Sequence, residues 1–284
     1  MPNLRHPNAE FFVPDGTDAD AALARTTHMA VVAHPDDCEI MAISGILECF
    51  QQDDKWFTSI VVTDGKGSPR LGVYERYTDD EMVAVRRQET KKAAVLGGYS
   101  ATGLLQWSSK VTKDPVAREV IDDLKDLVLA AKPEVMYCHN LADKHDTHVA
   151  SALRLIAALR ELPAEDRPKT LYGGEVWRDL DWLTDNEKIV FKLTEHDGLA
   201  QALLAVFDSQ VVGGKRYDLA TMGRRRANAT YWESHGVDVA DYLDFSMDLT
   251  PLIADPSLDI KDYLQDRINR FAADVAERLG KLLA

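Results

Sequence analysis

The chain has 284 residues, enough to bury a substantial core, and α/β units of this length commonly fill a single domain. A formal net charge of −14 argues against a phosphate-backbone binder, which gains from counterion release only with a positive footprint, so no nucleic-acid partner is expected. No segment approaches the roughly 20 apolar residues that span a bilayer, and the N-terminus lacks a charged-then-apolar leader, so the expectation is a cytoplasmic protein without a membrane span.

Residues 1–26 carry Pro2, Pro7 and Pro14 with weak periodicity and read as a surface arm. MAVVA from Met29 predicts a first strand, residues 40–51 a helix, FTSIVVT at 57–63 a second strand and 79–97 a charged helix. GLLQW at 103–107 predicts a third strand, 115–132 a helix closed by Pro133, EVMYCH at 134–139 a fourth strand and 146–161 another helix. Beyond 165 the pattern weakens to a strand at 171–177, a helix at 195–207 and a long amphipathic helix at 259–284. Ile260, Leu264, Ile268, Phe271, Val275 and Leu279 share one side of that last helix. Periodicity alone does not choose between packing on its own domain and packing on another subunit, and a homo-oligomer is compatible with it.

Continuous apolar strands alternating with helices predict an α/β fold, a Rossmann-like three-layer sandwich with a mostly parallel sheet. The expected organisation is one domain over 1–284: the arm at 1–26, a core with the metal site at 27–165, and a pocket-forming elaboration with the C-terminal helix at 166–284. Sites in such folds lie at the carboxyl ends of strands, which singles out 34–37, 63–67, 107–109 and 139–148.

Two of those ends are rich in metal-ligand chemistry. His34-Pro35-Asp36-Asp37 places an imidazole and two carboxylates at a strand end stiffened by proline. His145 and His148, one helical turn apart, share a side at a helix start. Each cluster has a plainer reading, with Asp36, Asp37 or Asp143 serving only to cap a helix. Their complementarity favours a catalytic metal such as zinc, held by three His or carboxylate ligands with one position left for water. Cys38, Cys49 and Cys138 lack disulfide or zinc-finger spacing and read as small buried hydrophobes.

AHPDDCEI and DKHDTHVA resemble the two signatures of the PIG-L/LmbE-type zinc-dependent N-deacetylases, which remove acetyl groups from amino sugars. The likeness extends through TDGKG at 63–67 and Arg86-x-x-Glu89, covering residues 28–160 well and the remainder loosely. The resemblance implies a Zn2+ cofactor on His34, Asp37 and His148, with Asp36 as general base. It also implies that His145 is an imidazolium that steadies the oxyanion or protonates the leaving amine, and that Arg86 helps hold substrate. The second signature departs from the family's His-Pro-Asp-His, because Thr147 stands at the orienting carboxylate's position and Asp143 or Asp146 would have to replace it.

GGEVWRDLDWL at 173–183 and the segment 209–236 are dense in aromatic, Arg and Gly residues that suit a sugar pocket, with Trp177 and Tyr231 as candidate substrate contacts; such residues equally build cores. VVGGKR lacks the remaining P-loop positions, and no G-x-G-x-x-G follows the first strand, which removes support for a nucleotide cofactor. The expected function is removal of an acetyl group from an N-acetylated amino sugar or its conjugate. The alternatives are a metal-dependent amidase on a non-sugar amide and a non-catalytic zinc-binding protein.

Overall fold

A computed structural model describes residues 2–283. Eight strands form one sheet: β1 (Glu10–Phe12), β2 (His28–Val32), β3 (Phe57–Thr63), β4 (Ala101–Trp107), β5 (Val135–His139), β6 (Thr170–Gly174), β7 (Lys188–Leu193) and β8 (Tyr242–Asp248). Their spatial order is β1-β4-β3-β2-β5-β6-β8-β7. The central run from β4 to β6 is parallel, whereas β1, β8 and β7 pair antiparallel on the flanks.

The helices are α1 (Ala19–Ala24), α2 (Asp37–Met41), α3 (Ile43–Cys49), α4 (Asp79–Leu96), α5 (Ser109–Lys113) and α6 (Arg118–Ala131). They continue with α7 (Asp146–Arg160), α8 (Asp197–Ala205), α9 (Asp208–Val211), α10 (Tyr217–Tyr231), α11 (Thr250–Ala254) and α12 (Ile260–Leu283). The period-two alternation of the strands sorts the core into two clusters. Met29 and Val31 of β2 meet Leu124 and Leu127 of α6 and Leu155 of α7, while Ala30 and Val32 meet Ile43 and Ile46 of α3 and Leu203 of α8. The sheet is therefore covered on both faces, which is why its central strands are continuously apolar.

After β2 the chain moves to β3 and β4 on one side, then crosses to β5 on the other. The carboxyl ends of β2 and β5 thus flank the point where strand order reverses, the place where such sheets leave a crevice. His34 follows β2, and His139 ends β5.

Two expectations need correction. The N-terminal arm enters the fold: Glu10–Phe12 adds an edge strand to β4, and Leu23 of α1 is fully buried. The helix expected over 40–51 is two helices, broken at Ala42 where φ is −119°. Gly174 permits the first of them to sit on β6, since a Cβ there would lie 2.6 Å from the Met41 carbonyl oxygen. The long C-terminal helix forms as expected and packs on its own domain chiefly at its start, with Arg270 paired to Glu187 further along. Tyr263 is buried and donates to the Asp248 carbonyl, whereas Phe271, Val275 and Leu279 stay 38–51% exposed.

Candidate active site

The turn after β2 is shaped by Asp36, whose φ of 88° lies in the left-handed region that few non-glycine residues enter. Neither aspartate caps α2 with its side chain in the ordinary way. Asp36 is buried and receives the Arg86 guanidinium at 3.1 Å, while Asp37 Oδ2 accepts the His34 amide at 2.7 Å. The capping alternative for this quartet is thereby set aside.

Three acceptor atoms converge beside that turn. His34 Nδ1 lies 3.2 Å from Asp37 Oδ2 and 3.1 Å from His148 Nε2, and the latter two are 3.4 Å apart. His148 Nδ1 stands 3.3 Å from Asp143 Oδ2, which places its proton there and leaves Nε2 as a bare lone pair facing the other two. Ligands about 2.0–2.1 Å from one tetrahedral ion stand roughly 3.3 Å apart, so this triangle has the dimensions of a zinc-type site. Lone pairs and a carboxylate aimed at one point need a cation between them, and the donor set of two imidazoles and one carboxylate suits a borderline divalent metal.

His139 also comes close, with Nε2 3.4 Å from Asp37 Oδ2, and the grouping Asp37, His139 and His148 is compact enough to suggest a ligand set. Its Nε2, however, accepts the Ala33 amide at 2.9 Å, which occupies the lone pair a metal would use. His139 instead stacks on His148 with ring centroids 3.9 Å apart and fixes that ring's plane. It was not singled out as a functional residue in the sequence; its place at the end of β5 was the available signal.

The carboxylate that orients the second cluster is Asp143, and it serves His148 rather than His145. Buried and fully engaged, it accepts the His145 amide at 2.9 Å and the Trp177 amide at 3.1 Å besides facing His148. Asp146 is exposed on the start of α7. His145 Nδ1 is buried without a protein partner, and its ring leans on His148 at 4.5 Å and Trp177 at 6.1 Å. Burial, then the neighbouring His148 and His34, push its pKa down, so the imidazolium expected there is disfavoured in this setting.

The two adjacent aspartates separate sharply. Burial drives the Asp36 carboxyl well above its usual range, with Arg86 opposing and Asp37 adding to the rise. Burial would raise Asp37 too, but His148, His139 and His34 outweigh it and hold the carboxylate well below its usual range.

Arg86 is buried and donates to the Pro35 and Gly65 carbonyls as well as to Asp36, so it holds the turn that carries Asp36, and it also lines the cavity over the triangle. Gly65, at φ +68°, explains the glycine of TDGKG, for a Cβ there would press within 3.1 Å of both Arg86 and Pro35. Arg225 of α10 plays a parallel part from the far side. Fully buried, it donates to the Glu39 and Ile40 carbonyls at 2.9 Å each, satisfying the C-terminal end of α2.

A cavity of about 490 Å3 opens over the triangle, lined by His34, Asp36, Asp37, His145, Trp177 and Tyr217 among others. Lys113 and Lys215 also line it and make no ion pair among the described residues, and Lys215 sits 4.9 Å over the Trp177 ring. Neither lysine nor Tyr217 was singled out individually in the sequence. Tyr231 lies outside this cavity. It ends α10, is 83% exposed and lines a different cavity, because 14 helical residues carry it away from Tyr217.

Residues 29–159 match the PIG-L family model, described as GlcNAc-PI de-N-acetylase. No curated protein matches the chain. Among solved structures, the N,N'-diacetylchitobiose deacetylase from Pyrococcus horikoshii is similar at 18% identity and TM-score 0.62, over 84% of this chain and 89% of that one. A 4-carboxy-2-hydroxymuconate hydratase from Pseudomonas putida is similar at 17% identity and TM-score 0.59, over 79% and 95%. A deacetylase of teicoplanin biosynthesis is similar at 15% identity and TM-score 0.57, over 78% and 96%. At these identities the likeness establishes the α/β fold, and a hydratase among the neighbours means that the fold alone does not choose the reaction.

Proposed function

We propose that the protein is a metal-dependent hydrolase that removes the acetyl group from an N-acetylated amino sugar or its conjugate, built on a Rossmann-like three-layer sandwich. The observation that carries the reading is the acceptor triangle of His34, Asp37 and His148 with a second, protonatable carboxylate, Asp36, beside it. A purely structural metal site has no use for that extra group. The match of residues 29–159 to a family model described by de-N-acetylation, and deacetylases among the structural neighbours, support the choice of bond.

His34, Asp37 and His148 would hold the ion, with Zn2+ the best match to the donors. A divalent ion bound there supplies Lewis acidity toward the acetamide carbonyl and acidifies a water. Asp36 takes the proton of the attacking water as general base, a task favoured by a carboxyl whose proton affinity burial raises. The carboxylic acid so formed delivers that proton to the departing nitrogen, and acetate and a free amine result. His145, neutral in this setting, donates one N–H toward the developing oxyanion. Trp177 and Tyr217 offer the aromatic faces against which a sugar ring packs.

The test is metal content after zinc reconstitution together with acetate release from a panel of acetylated amino sugars and acylated amino acids. Stoichiometric metal with turnover of the sugars alone is the expected result. Turnover of the amino acids alone favours the amidase alternative, metal without any turnover favours the non-catalytic one, and no bound metal removes the reading altogether.

A further inference from the structure

The outer face of α10 links the catalytic cavity to a second one. Tyr217, Ala220, Thr221, Arg224, Asn228 and Tyr231 follow a helical repeat that keeps them on one side. At the first end, Tyr217 walls the catalytic cavity. A middle cavity of about 230 Å3, lined by Tyr217, Ala220, Thr221 and Arg224, shares the Trp177 wall with it. A distal cavity of about 400 Å3 shares Arg224 with the middle one and ends on Tyr231 and Trp232. From Tyr217 to Tyr231 the helix axis advances about 21 Å.

Part of that face serves the fold, since Arg224 donates to the Val176 carbonyl and Asn228 to Glu175 and the Leu243 carbonyl, but two positions on it do not. Gly223, beside it on α10, has open space where a Cβ would stand, so alanine would fit and would favour the helix by about 1 kcal/mol. Tyr231 presents its ring to solvent at 83% exposure instead of packing it. The inner face of the same helix is fully employed, through buried Arg225 and Ala229.

We propose that this face is a distal binding site for a polyhydroxylated segment, such as further sugar units, attached to the acetylated residue. It rests on the deacetylase reading and extends it from the reacting group to the body of the substrate. Aromatic faces at Tyr231 and Trp232 suit the apolar faces of sugar rings, and Asp179 with the side-chain oxygen of Asn228, whose amide nitrogen is held by Glu175 and Leu243, offers acceptors for hydroxyls. The charge there disfavours a phosphate or carboxylate group. Lys188 is already held by Asp181 at 3.0 Å and Asp185 at 2.9 Å, and Asp179 makes no ion pair among the described residues. Small side chains at Ala220 and Ala227 keep the path between the cavities low.

The experiment compares kcat/KM for N-acetylglucosamine, its oligosaccharides of increasing length, and an alkyl glycoside of N-acetylglucosamine of equal reach, in wild type, Tyr231→Ala and Ala227→Trp. Oligosaccharides should gain at least tenfold over the monosaccharide, about 1.4 kcal/mol, and both substitutions should draw the ratio of long to short back toward one. Equal kcat/KM at all lengths, an equal gain for the alkyl glycoside, or a ratio unmoved by both substitutions would overturn the assignment. Calorimetric titration of an oligosaccharide into the same proteins keeps the two readings apart. Binding weakened by Tyr231→Ala with no acetate released from any substrate would sustain the distal site while removing the deacetylase reading. Absence of saturable binding to wild type would remove the site itself.

Discussion

Asp36 and Asp37 are adjacent and chemically identical, and their surroundings give them opposite tasks. Asp37 faces three imidazoles and stays ionised, whereas Asp36 faces one guanidinium within a buried, acid-rich turn and holds its proton more tightly. Asp36→Asn should therefore leave metal content unchanged and lower acetate release by about a hundredfold to ten-thousandfold, the usual weight of a general base. Asp37→Ala or His148→Ala should instead abolish stoichiometric metal, read by elemental analysis after reconstitution. His145→Ala should keep the metal and lose roughly a hundredfold to a thousandfold in kcat, in line with removal of one oxyanion donor. The His-Pro-Asp-Asp signature was legible in the sequence because strand end and ligand type coincide there. The role of Asp143 was not, since a residue five positions before His148 reaches it only through the bend that leads into α7.

At the scale of elements, the short helix α2 is held from two sides. Arg86 of α4 ties down the turn before it and Arg225 of α10 accepts the task of satisfying its last carbonyls. Arg225→Met removes both donors at the α2 terminus and should destabilise the fold by about 1–3 kcal/mol in urea titration, with weakened metal retention as the site-specific sign. Gly65→Ala should cost about 1–2 kcal/mol for its left-handed backbone and should lower turnover as well, because the new Cβ displaces Arg86 from Asp36. The sequence predicted the helix of Arg86 correctly, and the structure closes its start with a capping box of Thr78 and Glu81, yet the arginine's partners lie 21 and 51 residues away. Helix α10 was missed as an element. Its stripe mixes buried Arg225 with exposed Tyr231, so its hydrophobic periodicity is weak although its packing is definite.

For the whole molecule, stability should vary with pH through buried carboxyls away from the site. Burial pushes Asp244 up to about 8, with Arg225 opposing and Glu175 adding. Its folded pKa exceeds that of an unfolded aspartate, near 3.9, so the native state binds this proton more tightly. The associated stability is present in full below about pH 4 and is lost as pH rises through about 8. Asp244→Asn should flatten the decline in melting temperature between pH 7 and pH 9 without changing metal content, as thermal unfolding at a series of pH values would report. By itself the sequence determined the alternation of strands and helices, the parallel centre of the sheet and the two ligand clusters, because all of these are local patterns read at periods of two or 3.6 residues. Only the tertiary structure decided that His139 stacks behind His148 with its Nε2 already engaged, that Asp143 serves His148, that Arg86 supports Asp36, and that Tyr231 stands apart from the acceptor triangle. Apart from the local Asp143–His148 pair, the contacts of His139, Arg86 and His34 depend on which lone pairs and protons meet across 50 to more than 100 residues of chain, and the crossing from β4 to β5 is what brings them to one crevice.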